Sequence, residues 1–504
     1  MRVISAFFAA LTFGLSGCGG GGAGESQPGA VPVGSVSGIT YDGLIINGTV
    51  RVFDFSGGAK GALLAETVSD GDGHYSISLQ IESRPVLVEI TGGFYTEEAG
   101  SNAQIALRAA HKLIALANYT TGAALRMSVT NFTHLAAGLA AFQIGNGVAA
   151  ATAIDNANRR VSNWTGVNIL TTTPRPIIDA TNASATLTPE LRYGFLAGAI
   201  SMWTYRNAPT PATAHLPPFT SIDFGQLLYQ DVSADGLLDG FGRNSSGDLA
   251  QLSFGIVPLG VDVYRFGLGV SLAQMAAHTN NKTGLDGSKV LSLAQAYIAS
   301  TDAMFNGVAP RPFVPAPIVN ITAPAPGAWL SGVKPLSAAI TPDSFGHSTV
   351  DLLVDGVLIA TSANSTAPTF NLTTTNFAQG THTVSVRAAD LAGFTTTQSI
   401  TLGVDNSYPT SGATTPYQFL GGNSFVANGC ASDGFSGLRS VRNTTHGIEG
   451  NLATSGCWSV SVLSVPGIYT DVIRFQDWAG NCSYYTGSAG GANGAWGLVS
   501  QGAC

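Results

Sequence analysis

The spacing of apolar residues changes twice along this 504-residue chain, and those two changes limit what it can fold into. From 32 to 105, apolar and polar residues alternate in short runs split by Gly and Asp, as in Tyr75, Ile77 and Leu79. Strand side chains point to opposite faces in turn, so a period of two buries one face of a sheet. From 106 to 308 the chain opens with two strand-like runs, 113–119 and 124–129, then becomes Ala-rich with helical spacing. From 318 onward the period of two returns. One core cannot serve that order, and domains of roughly 100–200 residues make three to four units. The predicted fold is therefore multidomain and mixed: an N-terminal β-sandwich at 32–105, a mainly α-helical domain at 106–308, and two C-terminal β-sandwiches at 318–406 and 407–504.

Local signals refine this plan. At Ser69-Asp70-Gly71-Asp72-Gly73 the chain must reverse, because Gly tolerates positive φ cheaply. Thr133 is a candidate cap for the apolar run 134–142, and Thr188-Pro189-Glu190 reads as a helix start with Pro in the first turn. Further helices are predicted near 257–279 and 286–305. The run APRPFVPAP (309–317) marks a stiff linker. Beyond it, Val384, Val386 and Ala388 should share one face of a strand, with Thr383, Ser385 and Arg387 on the other. Asp343-Ser344-Phe345-Gly346 is echoed at Asp433-Gly434-Phe435-Ser436-Gly437, and Asp390-Leu391-Ala392-Gly393 at Asp477-Trp478-Ala479-Gly480, so the last two units are related copies. The net charge is -8 and no basic run exists, which argues against a nucleic-acid partner, since phosphate binding needs a cationic stripe.

Three resemblances follow from these residues. The N-terminal order, most specific at Asp72-Gly73-His74-Tyr75-Ser76, resembles the carboxypeptidase regulatory-like, transthyretin-like sandwich, an accessory module in that family. The pattern from Val350-Asp351-Leu352 to Gly403-Val404-Asp405-Asn406 resembles bacterial immunoglobulin-like domains, a family of extracellular spacers and adhesin stalks; 407–504 is a divergent copy. Finally, Arg2, the apolar run 3–15 and Leu15-Ser16-Gly17-Cys18 resemble a lipoprotein signal. That resemblance implies cleavage after residue 17, acylation of Cys18, membrane lipid as a partner, and an outer-membrane location on the cell surface or its periplasmic face. The Gly-rich residues 18–31 would be the tether.

The other four cysteines, Cys430, Cys457, Cys482 and Cys504, suit disulfides in an oxidising compartment. Three pairings are open, and proximity favours Cys430–Cys457 and Cys482–Cys504. One motif suggests a metal. In Asp231-Val232-Ser233-Ala234-Asp235-Gly236-Leu237-Leu238-Asp239, oxygens at relative positions one, three, five and nine with Gly at six match the start of a calcium loop. It resembles the loops of thrombospondin type-3 repeats, with Ser233 in place of an acid and Gly242 where an EF-hand has Glu. The expected ligands are Asp231, Ser233, Asp235 and Asp239, after a helix ending near Tyr229, in a structural role.

Catalytic patterns are weak. There is no H-E-x-x-H, no G-x-S-x-G and no phosphate loop. Glu97-Glu98 and Asp351/Asp355 read as solvated loop acids, and His111, His134 and His278 as core residues. Trp329, Trp458, Trp478 and Trp496 are candidates for a sugar-stacking face or for core. The expected function is a non-enzymatic surface lipoprotein that binds an extracellular protein or glycan or acts as a spacer. The rivals are a carbohydrate-binding accessory and an enzyme with an unfamiliar site in the helical domain.

Overall fold

A computed structural model describes residues 31–100, 104–208, 220–344, 346–411, 415–421, 424–463, 470–488 and 497–504. Cys18, Phe345 and Trp496 lie outside the described residues. The architecture is mixed, with sandwich-like sheets on either side of a central helical region.

Two sheets build the N-terminal sandwich. In one, Gly34–Tyr41 runs antiparallel to His74–Leu79 and parallel to Ala124–Arg126 and Val129–Thr130. In the other, Leu63–Val68, Thr49–Asp54, Arg84–Thr91 and Lys112–Tyr119 pair in that order, each antiparallel to the next. His74–Leu79 alternates exposed and buried along its length, as the period of two requires. The boundary drawn at 105/106 is corrected here: the strands from Lys112 to Thr130 belong to the sandwich. Without Lys112–Tyr119, the Arg84–Thr91 strand would present an unpaired edge.

The central strands of that second sheet are covered on both faces. Val86, Val88, Ile90, Leu113, Ala115 and Ala117 fill the sandwich interior. Leu87, Ile114 and Leu116 face the other way, into the core formed by the helices. Sandwich and helices therefore share one seam.

Among the described residues six α-helices follow: α1 (Asn131–Gly145), α2 (Ala150–Thr165), α3 (Pro189–Asn207), α4 (Ser221–Asp235), α5 (Leu268–Ala277) and α6 (Gly287–Ile298). Thr188 caps α3 with its hydroxyl. For α1 the cap is Thr130 rather than Thr133: the Thr130 hydroxyl accepts from Phe132 and Thr133 N–H, and Thr133 Oγ1 accepts the Thr130 N–H in return. The helix predicted at 257–279 is shorter, because Val257–Pro258 pairs with Ser253–Phe254 in a hairpin and a wide π-type turn, Val263–Gly267, precedes α5. Trp203, Phe224, Phe254 and Tyr264 pack together in tilted and edge-on pairs. No described helix is long and apolar enough to cross a membrane.

Beyond 317, Ile318–Ala323, Val333–Thr341 and Thr369–Thr373 form one sheet. Trp329–Leu330, Thr395–Val404, Gly380–Asp390, His347–Val354 and Val357–Ala363 form the facing one. Val384, Val386 and Ala388 all point into this core. The last unit pairs Ser424–Ser432 with Cys457–Leu463, and Thr470–Asp477 with Asn481–Ser488.

Cys430 is bonded to Cys457 and Cys482 to Cys504. The cysteines of each pair are 27 and 22 residues apart in sequence. Closing loops of that size restricts the unfolded chain by about 3 kcal/mol each in the chain-entropy view. Replacing Cys482 and Cys504 together by Ser should lower the melting transition of the last unit, read by differential scanning calorimetry, with the other transitions unmoved. An unchanged thermogram would show that this bond contributes nothing to stability.

Candidate functional site

Among the described residues the fold brings three groups of acids together, and only one had been read as a site.

The first lies in the seam between sandwich and helices. Asp42, Glu97 and Glu98 are 3%, 8% and 1% exposed, so the expectation that Glu97-Glu98 is a solvated pair is overturned. The cause is α3 and α4, which close over the loop from segments more than a hundred residues away. Glu97 accepts from Ser201 Oγ (2.6 Å), Ser221 N (2.8 Å) and Ser221 Oγ (2.8 Å). Asp42 lies 2.7 Å from Ser221 Oγ and 2.7 Å from Asn131 Nδ2. A hydroxyl has one hydrogen to give, yet Ser221 Oγ sits against two carboxyl oxygens. One of those acids must hold a proton. Asp42 is that acid, because the Ser221 N–H already donates to Glu97. Burial raises Asp42 well above the usual carboxyl range, and the charge of Glu97 raises it further. Burial likewise lifts Glu97, and pushes Glu98 up to about 8 against the opposing bond from Tyr41.

A cavity of ≈ 360 Å³ opens beside Glu98, walled by Leu44, Pro176 and Ile178. Asp42 and Glu97 do not line it. Glu98 Oε1 is taken by Tyr41, and Oε2 is closed to solvent. The seam acids thus hold helices to sandwich rather than converge on a cleft.

The second group is the one read as a calcium loop. α4 does not stop near Tyr229 but runs to Asp235, where Gly236 ends it at φ 82°. Asp231 and Asp235 are therefore four apart on one helical face. Ser233 lies about 200° round the axis from Asp231, and its hydroxyl donates to the Gln230 carbonyl. Ser233 is removed from the ligand set. Past the turn, Asp239 comes back to join the two helical acids, and carboxylate oxygens of Asp231, Asp235 and Asp239 lie within 4.8 Å of one another. Asp231 is fully buried and its Oδ2 accepts the Gly240 N–H at 2.9 Å. Burial pushes its carboxyl up to about 7, and the charge of Asp239 adds to that. Asp235 is raised by burial too.

In the third group, Asp405 from the end of one Ig-like unit meets Asp433 and Asp477 of the next, again within 4.8 Å. Here, as at Asp231, Asp235 and Asp239, the carboxyls accept backbone N–H groups. Asp405 accepts Ser407 N and Ser436 N, Asp433 accepts Phe435 N and Gly437 N, and Asp477 accepts Asn481 N. The sequence echo of Asp390 at Asp477 is thus a turn-forming device. Asp390, the counterpart of Asp477, accepts Ala392 N and Phe394 N, both at 2.8 Å.

Of the remaining candidates, His111, His134, Asp351 and Trp458 are buried within the fold, whereas His278, read as a core residue, is only half-buried. His134 is buried against the ring of Tyr229, and burial lowers it to about 3. His111 pairs with Asp223, and Asp351 with Arg387. Trp458 is core, while Trp478 is 58% exposed with the Arg439 guanidinium 5.4 Å over its ring.

A family model described as a bacterial Ig domain matches residues 317–386, so the first of the C-terminal sandwiches is an Ig-like domain. No curated protein matches the chain. Among solved structures, it is similar to fibronectin(III)-like modules of Clostridium thermocellum CbhA, at 24% identity over 18% of this chain and 99% of that one, with a TM-score of 0.16. It is also similar to the endo-β-1,4-mannanase of Thermotoga petrophila, at 13% identity over 29% and 36% of the two chains (TM-score 0.17). A third is Bacteroides ovatus SGBP-B in complex with a mixed-linkage heptasaccharide, at 13% identity over 32% and 44% (TM-score 0.15). The chain spans nearly all of the first of these and less than half of the other two.

Proposed function

We infer that this chain is a bacterial envelope lipoprotein, acylated at Cys18 and held at the outer membrane. Its sandwiches and helical body bind an extracellular protein or glycan, or space a binding surface from the membrane. The observation that carries this reading is the Ig-like domain at 317–386, followed by a second, disulfide-bonded sandwich. Disulfides belong to an oxidising compartment, and a row of sandwiches works by reach and multivalency. The regulatory-like resemblance of the N-terminal sandwich adds a further accessory module. A non-enzymatic role fits the seam acids, whose partners are the chain's own serines, asparagine and tyrosine.

The lipid anchor is tested by feeding cells a labelled fatty acid. The parent should carry label and have a mature mass starting at Cys18, while a Cys18→Ala variant should carry none. A parent that is unlabelled and keeps Met1 overturns the anchor. Binding is tested by screening the detergent-solubilised protein against glycan and matrix-protein arrays. Turnover of an arrayed glycan, rather than retention on it, would move the reading to the enzyme.

A further inference from the structure

We propose that the cleft between the outer face of the first sandwich sheet and the segment 170–173 binds the carboxylate of an acidic sugar, with Arg126 as its anchor. That the anion belongs to a sugar rests on the reading of this chain as a binder of extracellular ligands. The preference for an anion rests on the cleft itself.

Strand register gathers the polar groups. Ser37 pairs with Ser76 on one side and with Arg126 on the other, so the three side chains leave the sheet on one face. Their neighbours Val36 and Ile77 turn into the sandwich core, which sends Ser37, Ser76 and Arg126 outward. His74, two residues before Ser76, shares that face. Opposite them, the chain after α2 is strapped to the sheet. Ser128 N–H donates to the Leu170 carbonyl at 2.7 Å, and Ser128 Oγ to the Thr172 carbonyl at 3.1 Å. The Tyr75 hydroxyl donates to the Met127 carbonyl at 2.5 Å and steadies the strand end that carries Arg126. Between sheet and strap lies a cavity of ≈ 230 Å³, lined by Arg126, His74, Ser37, Thr171 and Thr173 with apolar Leu170 and Met127.

Three observations set the charge of the ligand. Arg126 is exposed, and among the described residues its guanidinium meets neither an acid nor a hydrogen-bond acceptor. The hydroxyls of Ser37, Thr171 and Thr173 likewise make no hydrogen bond among the described residues. Neither Asp nor Glu lines the cavity, although the chain carries a net charge of -8. The acid beside His74, Asp70 at 3.9 Å, spends its Oδ1 on the N–H groups of Asp72 and His74. A guanidinium only donates, and its planar fork matches the two oxygens of a carboxylate. The hydroxyls suit the oxygens of a sugar ring, and Leu170 and Met127 its apolar edge. The volume lies below the roughly 300–1,000 Å³ of pockets for drug-sized ligands, which suits one residue of a glycan whose remainder extends into solvent.

The test titrates the full-length protein in detergent with glucuronate, with glucose as its neutral match and with inorganic phosphate, by calorimetry. Glucuronate should bind saturably, and glucose roughly tenfold or more weakly. Arg126→Ala should lower glucuronate affinity by roughly tenfold or more, while Arg159→Ala, an exposed arginine on α2, should leave it intact. Thr171→Val, exposed on the strap, should also weaken binding and serves as the second variant should Arg126→Ala fail to fold. No glucuronate binding, or binding that both variants leave untouched, overturns the cleft; retention of the parent on other arrayed glycans or matrix proteins would still uphold the binding role. Phosphate that binds through Arg126 where glucuronate does not would make the ligand a phosphate and overturn the sugar. A blank array beside Arg126-dependent glucuronate binding would uphold the cleft and point to a small acidic sugar free in solution.

Discussion

Raising the pH from 7 to 9 should cost the sandwich–helix body at least ~1.4 kcal/mol of stability, where acidic surface residues alone, already ionised in both states, would change nothing. The cause is the seam, where Asp42, Glu97 and Glu98 are all held above the usual carboxyl range. An acid raised in the fold binds its proton where the unfolded chain has already released one, so stability falls as pH climbs. The loss starts near the unfolded value of about 4.3 and continues until the folded acid also ionises, at about 8 for Glu98. Each acid still protonated in the fold contributes ~1.4 kcal/mol per pH unit. His134, lowered to about 3, acts in the opposite sense as pH falls below its ordinary range, which is why the clean window opens above pH 7. Urea denaturation at pH 7, 8 and 9 measures the slope. Glu98→Gln keeps the shape and the acceptor for Tyr41, and should flatten the curve by making the variant more stable than the parent at pH 9. A parent profile flat or rising from pH 7 to 9 would mean that the seam acids are ionised and solvated.

What could be read from sequence was whatever repeats locally. The alternation in His74–Leu79 and Gly380–Asp390 and the Thr188-Pro189 start of α3 are short-range signals, and the structure has them where they were read. The Ig-like unit was legible in the same way. The sandwich boundary was not, although RPVLVEIT and KLIALANY carried a clue. Nearly continuous apolar runs mean a sheet covered on both faces, and the second cover is the helical core. Glu97 and Glu98 offer no periodic signal at all, since what buries them is Ser201 and Ser221, 104 and 124 residues from Glu97. In the acidic motif the residues were visible but their conformation was not. Asp231 and Asp235 fit both a loop, at odd positions, and a helix, at a four-residue step. The helix persists through Val232 and Ala234, both buried, and the candidate ligand set changes with it.

Gly225→Ala should destabilise the protein by about 2–4 kcal/mol, although Ala is the better helix former by ~1 kcal/mol. Gly225 lies within α4, where the helix passes Asn131 at the start of α1. A β-carbon there would meet Asn131 Oδ1 at 2.0 Å and its Cγ at 2.8 Å. Asn131 has nowhere easy to go. Its Nδ2 donates to Asp42 at 2.7 Å, inside the same buried acid group that ties the sandwich to the helices. Overpacking of this kind costs about 1–3 kcal/mol. Leaving a buried carboxyl oxygen without its hydrogen bond adds roughly 1–3 kcal/mol, against which the helix gain is small. A double-mutant cycle separates the parts. Asn131→Ala alone should be destabilising through Asp42, and Gly225→Ala placed on top of it should be nearly neutral, because the clashing amide has gone. Chemical denaturation of the two single variants and the double variant reads both terms. If Gly225→Ala were neutral or stabilising in the parent, α4 would be free to shift away from α1, and the seam could not be the rigid joint that fixes Asp42, Glu97 and Ser221 in one hydrogen-bonded set.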